Sequence, residues 1–92
     1  MTDRAPYTEQ SLPLYRYERV AADVLAEITR ARLEHAPMRG AHEGYAILLE
    51  EVEELWEEVK DRRRELSAMR REAIQVAAMA IAFVVEVTDD TA

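Results

Sequence analysis

Glu50, Glu51, Glu53, Glu54, Glu57 and Glu58 place six carboxylates within nine residues. On a helix, like charges three or four positions apart cost roughly 0.2–0.5 kcal/mol per pair, so a compensating partner is expected. With Val52 as the centre of the neighbouring apolar stripe and about 100° per residue, Glu51 lies about 100° to one side, Glu58 about 120° and Glu54 about 160°. Glu53 and Glu57 fall on the opposite flank. Glu51 and Glu54 are therefore neighbours at one edge of the stripe, where a facing helix can reach them. Further along, Glu72 and Gln75 form a second pair three apart, with Met79 and Glu86 continuing that face. Glu72 opens the most apolar segment, and an ionised carboxylate entering such a setting is costly unless it is paired or binds a metal. Hard cations such as Mg²⁺ take oxygen ligands and are commonly held by one or two carboxylates together with a substrate's phosphates. Two oxygen pairs on adjacent helices suit that chemistry. The plainer alternative is a solvated acidic face balanced by Lys60, Arg62, Arg63 and Arg64.

Three helices are needed to carry these residues. Tyr17, Val20, Ala21, Val24, Ile28 and Ala31 repeat at three and four positions, which predicts a first helix from Leu14 to Ala36. Pro37 and Gly40 end it. A second helix, from His42 or Glu43 to Glu65, carries the apolar stripe Tyr45, Leu48, Leu49, Val52, Leu55, Trp56 and Val59. The third, from Ala68 to Val87, contains AIQVAAMAIAFVV and is apolar almost all round, which predicts burial on every side. The termini, residues 1–12 and 88–92, are polar and aperiodic and are expected to fray around a single domain at 13–87.

The chain has 92 residues, 12 Lys and Arg against 19 Asp and Glu, a net charge of −7, 49% hydrophobic residues and no cysteine. Abundant Leu, Ala, Glu and Arg with only two glycines indicate an all-α chain rather than a disordered or β-sandwich one. A chain this short buries only roughly 60–65% of its unfolded surface, so a helical bundle completed by oligomerisation, as a homodimer or homotetramer, is expected. The acidic balance argues against DNA or RNA as partners. No apolar leader and no run of the roughly 20 residues needed to cross a bilayer are visible, which gives no membrane partner and a cytoplasmic location as expectations. GxxxxGK[ST], CxxC and Ser/His/Asp arrangements are absent.

The run LEEVEELWEEV (Leu49 to Val59), followed by REAIQ (Arg71 to Gln75), resembles the EExxE and ExxD motif pair of MazG-like nucleoside triphosphate pyrophosphohydrolases. These belong to the all-α group that includes dimeric dUTPases. Glu50, Glu51 and Glu54 match EExxE and Glu72 matches the first acid of ExxD, while Gln75 stands where the family usually has Asp. The resemblance covers roughly residues 20–87. It implies cleavage of a nucleoside triphosphate between the α and β phosphates, giving a monophosphate and pyrophosphate. It further implies Mg²⁺, or Mn²⁺ in its place, on Glu51, Glu54 and Glu72, with Gln75 a weak fourth ligand. Glu50 would orient or deprotonate the attacking water.

Lys60, Arg63 and Arg71 are the candidates for the triphosphate tail, against the alternative that they balance glutamates and the C-terminal end of the second helix. Trp56 and Tyr45 lie at core spacing, with base stacking as the other reading, while His35 and His42 suit packing or capping. Gln75 is either a site residue or a buried amide bonding across the bundle. It also motivates a second functional reading, a non-catalytic MazG-like helical protein that binds nucleotide or serves assembly.

Overall fold

The structure, a computed structural model, describes residues 13–89. Three α-helices follow in order, α1 Leu14–Glu34, α2 Ala41–Lys60 and α3 Leu66–Phe83, and the last continues into a π-helical turn, Val84–Thr88. The helix α3 packs against both others, most extensively against α2. The chain is thus all-α, as its composition predicts. The expected N-terminal segment, 1–12, lies outside the described residues. Of the expected tail only Thr88 and Asp89 are described, and Thr88 belongs to the π turn.

Each boundary has a local cause. The first helix stops at Glu34 rather than Ala36, because Ala36 precedes Pro37 and the α conformation is disfavoured there. In α2 the first turn is tied by Glu43, whose carboxylate accepts the Arg39 backbone N–H at 2.7 Å and pairs with the Arg39 guanidinium. This is a variant of the capping box. The second helix ends at Lys60, short of the expected Glu65. There Asp61 accepts the backbone N–H of Arg63 at 2.8 Å, and the Arg64 N–H bonds the Asp61 carbonyl at 3.1 Å. An Asp that bonds its own downstream backbone competes with helix continuation, and Arg64, at φ 50°, completes the reversal. With Glu65 accepting from the N–H groups of Ala68 and Met69, α3 begins at Leu66, ahead of the expected Ala68.

The interior is built from small residues. Val24, Met38, Ala68, Ala78 and Ala82 are buried, together with Gly44. Where α2 approaches α3, a Cβ on Gly44 would lie 2.8 Å from Phe83 Cδ2 and 3.0 Å from Met38 Sδ. Alanine ordinarily favours a helix over glycine by about 1 kcal/mol, but here the methyl must displace an aromatic ring. Gly44→Ala is expected to lower stability by about 1–3 kcal/mol, read as a lower thermal midpoint by circular dichroism. A raised midpoint would show that the close approach is not limiting.

Two expectations about burial are corrected. Tyr45, Leu49, Val52, Trp56 and Val59 are exposed, and the side of α2 that turns inward carries Gly44, Ile47, Leu48, Glu51, Leu55 and Glu58. Nor is α3 buried all round, since Ala73, Ile81, Val84 and Val85 are exposed. Among the described residues, only two other helices are available to cover it. On α1 the inner half of the stripe, from Val24 to Ala31, is buried or half-buried, whereas Tyr17 and Val20 are exposed.

Candidate functional site

The short reversal after Lys60 folds α3 back along α2, so residues equidistant from the turn face each other. That register sets Glu54 across from Glu72 and Glu51 across from Gln75. One carboxylate oxygen from each of Glu51, Glu54 and Glu72 lies within 4.8 Å of the others. The first and third of these residues are half-buried and the second exposed, which makes the cluster an open notch on the α2–α3 surface.

Among the described residues, none of the three has a basic group within ion-pair distance, unlike many acids elsewhere in the chain. Glu27 pairs with Arg30, Glu43 with Arg39, Glu57 with Lys60, Asp61 with Arg63, Glu86 with Arg32 and Asp23 with Arg70. The uncompensated charge shows in the titration of the cluster. Partial burial, then the Glu54 charge and a hydrogen bond to Glu54, with smaller effects of Glu72 and Glu50, push the Glu51 carboxyl up to about 7. Burial followed by Glu54 also raises Glu72, against the lowering influence of Arg71. Closely spaced carboxylates without a cation hold protons more tightly. The donor set, hard oxygens in a solvent-accessible notch, fits Mg²⁺ or Mn²⁺ with water completing the shell.

Beside Glu51 opens a cavity of about 330 Å³ between α1 and the α2–α3 pair. Its apolar walls include Ile28, Ala31, Met38, Ile47 and Met79, and its polar lining includes Arg30, Arg32, His35, Glu50 and Gln75. Glu50 is exposed at the rim. Gln75 is half-buried at this cavity, and the Glu27 carboxyl of α1 is held below the usual range chiefly by Arg30 and to a lesser degree by the nearby Gln75 amide. Gln75 thus lines the same cavity as Glu51.

The proposed phosphate ligands do not gather there. Lys60 pairs with Glu57 at 3.2 Å and sits 6.0 Å over the Trp56 ring, and Arg63 is held in the turn by Asp61. Arg71 is exposed and lines a shallower cleft with Asp23, Glu27 and Arg70. The cationic wall of the cavity beside Glu51 comes instead from α1, through Arg30 and Arg32, to which the sequence assigns no role. For Arg30 the signal is present, because it follows Glu27 by three residues and precedes Glu34 by four, and it is bonded to both. Arg32 meets Glu86 from the far end of α3, a contact with no local signature. Glu86 also accepts the Met38 backbone N–H at 2.8 Å, and so ties the α1–α2 loop to the π turn. His35 lies just past α1 and is exposed, with Nε2 3.8 Å from Glu34, and His42 is exposed in the first turn of α2.

No family model, no characterised protein and no solved structure matches the chain.

Proposed function

We propose that this chain is a divalent-cation-dependent pyrophosphohydrolase of nucleoside triphosphates, converting a (d)NTP and water into a (d)NMP and pyrophosphate. The observation that carries the reading is the convergence of Glu51, Glu54 and Glu72, from two separate motifs, into one notch without a basic partner. The adjoining cavity, with its apolar walls and its two arginines, adds room for a nucleoside and counter-charge for phosphate.

In this reading Glu51, Glu54 and Glu72 hold Mg²⁺ or Mn²⁺, which neutralises phosphate oxygens and acidifies water when bound. Glu50, at the rim, orients or deprotonates the water that attacks phosphorus. The new bond forms between the water oxygen and the α phosphorus as the bond from that phosphorus to the departing pyrophosphate breaks, and the water's proton passes to the Glu50 carboxylate. Arg30 and Arg32, from the facing wall, offset charge that builds on the phosphate oxygens by exchanging their present partners Glu27, Glu34 and Glu86 for the phosphate.

The test is incubation of the full chain with a panel of (d)NTPs, with and without Mg²⁺ or Mn²⁺, and chromatography for monophosphate and pyrophosphate. Metal-dependent release of both products supports the reading; absence of both with every nucleotide and metal refutes it. One observation favours the non-catalytic alternative. Gln75 brings no charge, so only three carboxylates serve the notch. Gln75→Asp supplies a fourth and is expected to tighten Mn²⁺ binding about tenfold, the low end for a group tuning a metal site, as measured by calorimetry. If affinity is unchanged, position 75 does not belong to the site.

A further inference from the structure

The large apolar side chains of α2 point away from its own fold. Tyr45, Leu49, Val52, Trp56 and Val59 are 60, 37, 41, 55 and 36% exposed, and they recur at spacings of four, three, four and three. That is the a/d repeat of a coiled-coil seam, which is covered by another helix bearing the same repeat. The exposed apolar residues of α1 have no such spacing, and α3 already lies on the other side of α2. From these residues we propose that the outer seam of α2 is a homodimer interface, packing antiparallel against α2 of a second copy.

Charge and shape select the arrangement. Parallel pairing would align the helix dipoles, set basic C-terminal ends side by side and stack Trp56 on its own copy. Antiparallel pairing opposes the dipoles. In the register that sets Leu49 of one protomer against Val52 of its partner, Tyr45 meets Trp56 at each end, an aromatic pair in place of two exposed rings. Glu53 then lies beside Ala46 of the partner, and Lys60, one heptad on, falls beside Arg39 of the partner, whose guanidinium is already paired with Glu43. A shift by one heptad would bring Glu53 onto its own copy.

The area is adequate. Covering the exposed parts of the five seam residues removes on the order of 450 Å² per protomer, over half of the roughly 800 Å² that a specific interface buries on each side. The flanking Leu48, Leu55 and Lys60 stems extend it. Glu51 and Glu54 lie on the remote side of α2, so pairing leaves the acidic notch open. The proposal is independent of the reaction proposed above.

Sedimentation or light scattering should give the wild-type chain a mass close to twice its 10.6 kDa. Val52→Glu is expected to reduce that mass to one chain with helicity retained by circular dichroism, while Leu25→Glu, exposed on α1 away from the seam, leaves it unchanged. Cysteine cross-linking provides a test that does not rest on a charged variant, since the chain has no native cysteine. His42→Cys mixed with Val59→Cys should form a mixed disulfide. His42→Cys alone should form none, because antiparallel pairing separates its two copies by on the order of 25 Å. A single-chain mass at the highest soluble concentration, an unchanged mass for folded Val52→Glu, or a covalent dimer from His42→Cys alone would each overturn the proposal.

Discussion

Glu54→Gln is expected to lower metal-dependent nucleotide hydrolysis by at least about 100-fold, since even residues that merely support a metal ligand are worth about 10–100-fold. The amide keeps the shape of the side chain and removes one of three charges that converge within 4.8 Å. Because it also removes a repulsive contact, the variant should fold at least as stably as wild type, which separates loss of site from loss of structure. Glu53→Gln is the matched control, as it changes the same residue type on the flank of α2 remote from Glu72. Parallel measurements of turnover and Mn²⁺ affinity decide the matter. Equal activity and equal affinity in Glu54→Gln and wild type would remove the acidic notch from consideration as the reaction centre.

The second large effect is on pH. Glu51 titrates at about 7 in the fold against 4.5 for an ordinary glutamate, so between those values the folded chain keeps a proton that the unfolded chain has released. Stability from this group is therefore highest below the ordinary value and falls as pH rises through 7. After allowance for the solvent that still reaches the carboxyl, the loss amounts to about 1 kcal/mol. Glu51→Gln should flatten that slope in denaturant titrations between about pH 5 and 8. Cation binding runs the other way, because the metal must displace the proton. Mn²⁺ affinity is expected to rise about tenfold from about pH 6 to pH 8, with proton release visible in calorimetry run in buffers of different ionisation enthalpy. A pH-independent affinity would mean that Glu51 is not a ligand.

The approach of Glu51 and Glu54 to Glu72 was legible in the sequence, because helical periodicity fixes which residues share a face and the short turn fixes the register. Periodicity does not say which of two usable faces turns inward. The face of α2 used against α3 carries Gly44, whose missing side chain admits Phe83, and close approach outweighs the larger apolar residues a third of a turn away. Sequence spacing ranks Trp56 and Val52 above a glycine and so misplaces the inward face by about a third of a turn, with Leu48 and Leu55 shared by both faces. The end of α2 was misplaced for a different reason, since the capping bond of Asp61 is one side-chain oxygen among many acids and has no distinguishing pattern. Arg32 and Glu86 stand 54 positions apart, and nothing short of the three-dimensional packing connects them.

The division of packing among the helices has a mechanical consequence. The two helices that carry the carboxylates are joined by a tight turn and pressed together through glycine and alanine, a short lever with little slack. The first helix rests mainly on α3 and is fastened at two outlying points, Asp23 to Arg70 and Arg32 to Glu86. A tilt of the arginine-bearing helix would therefore change the width of the cavity without passing through the contacts that set the spacing of Glu51, Glu54 and Glu72.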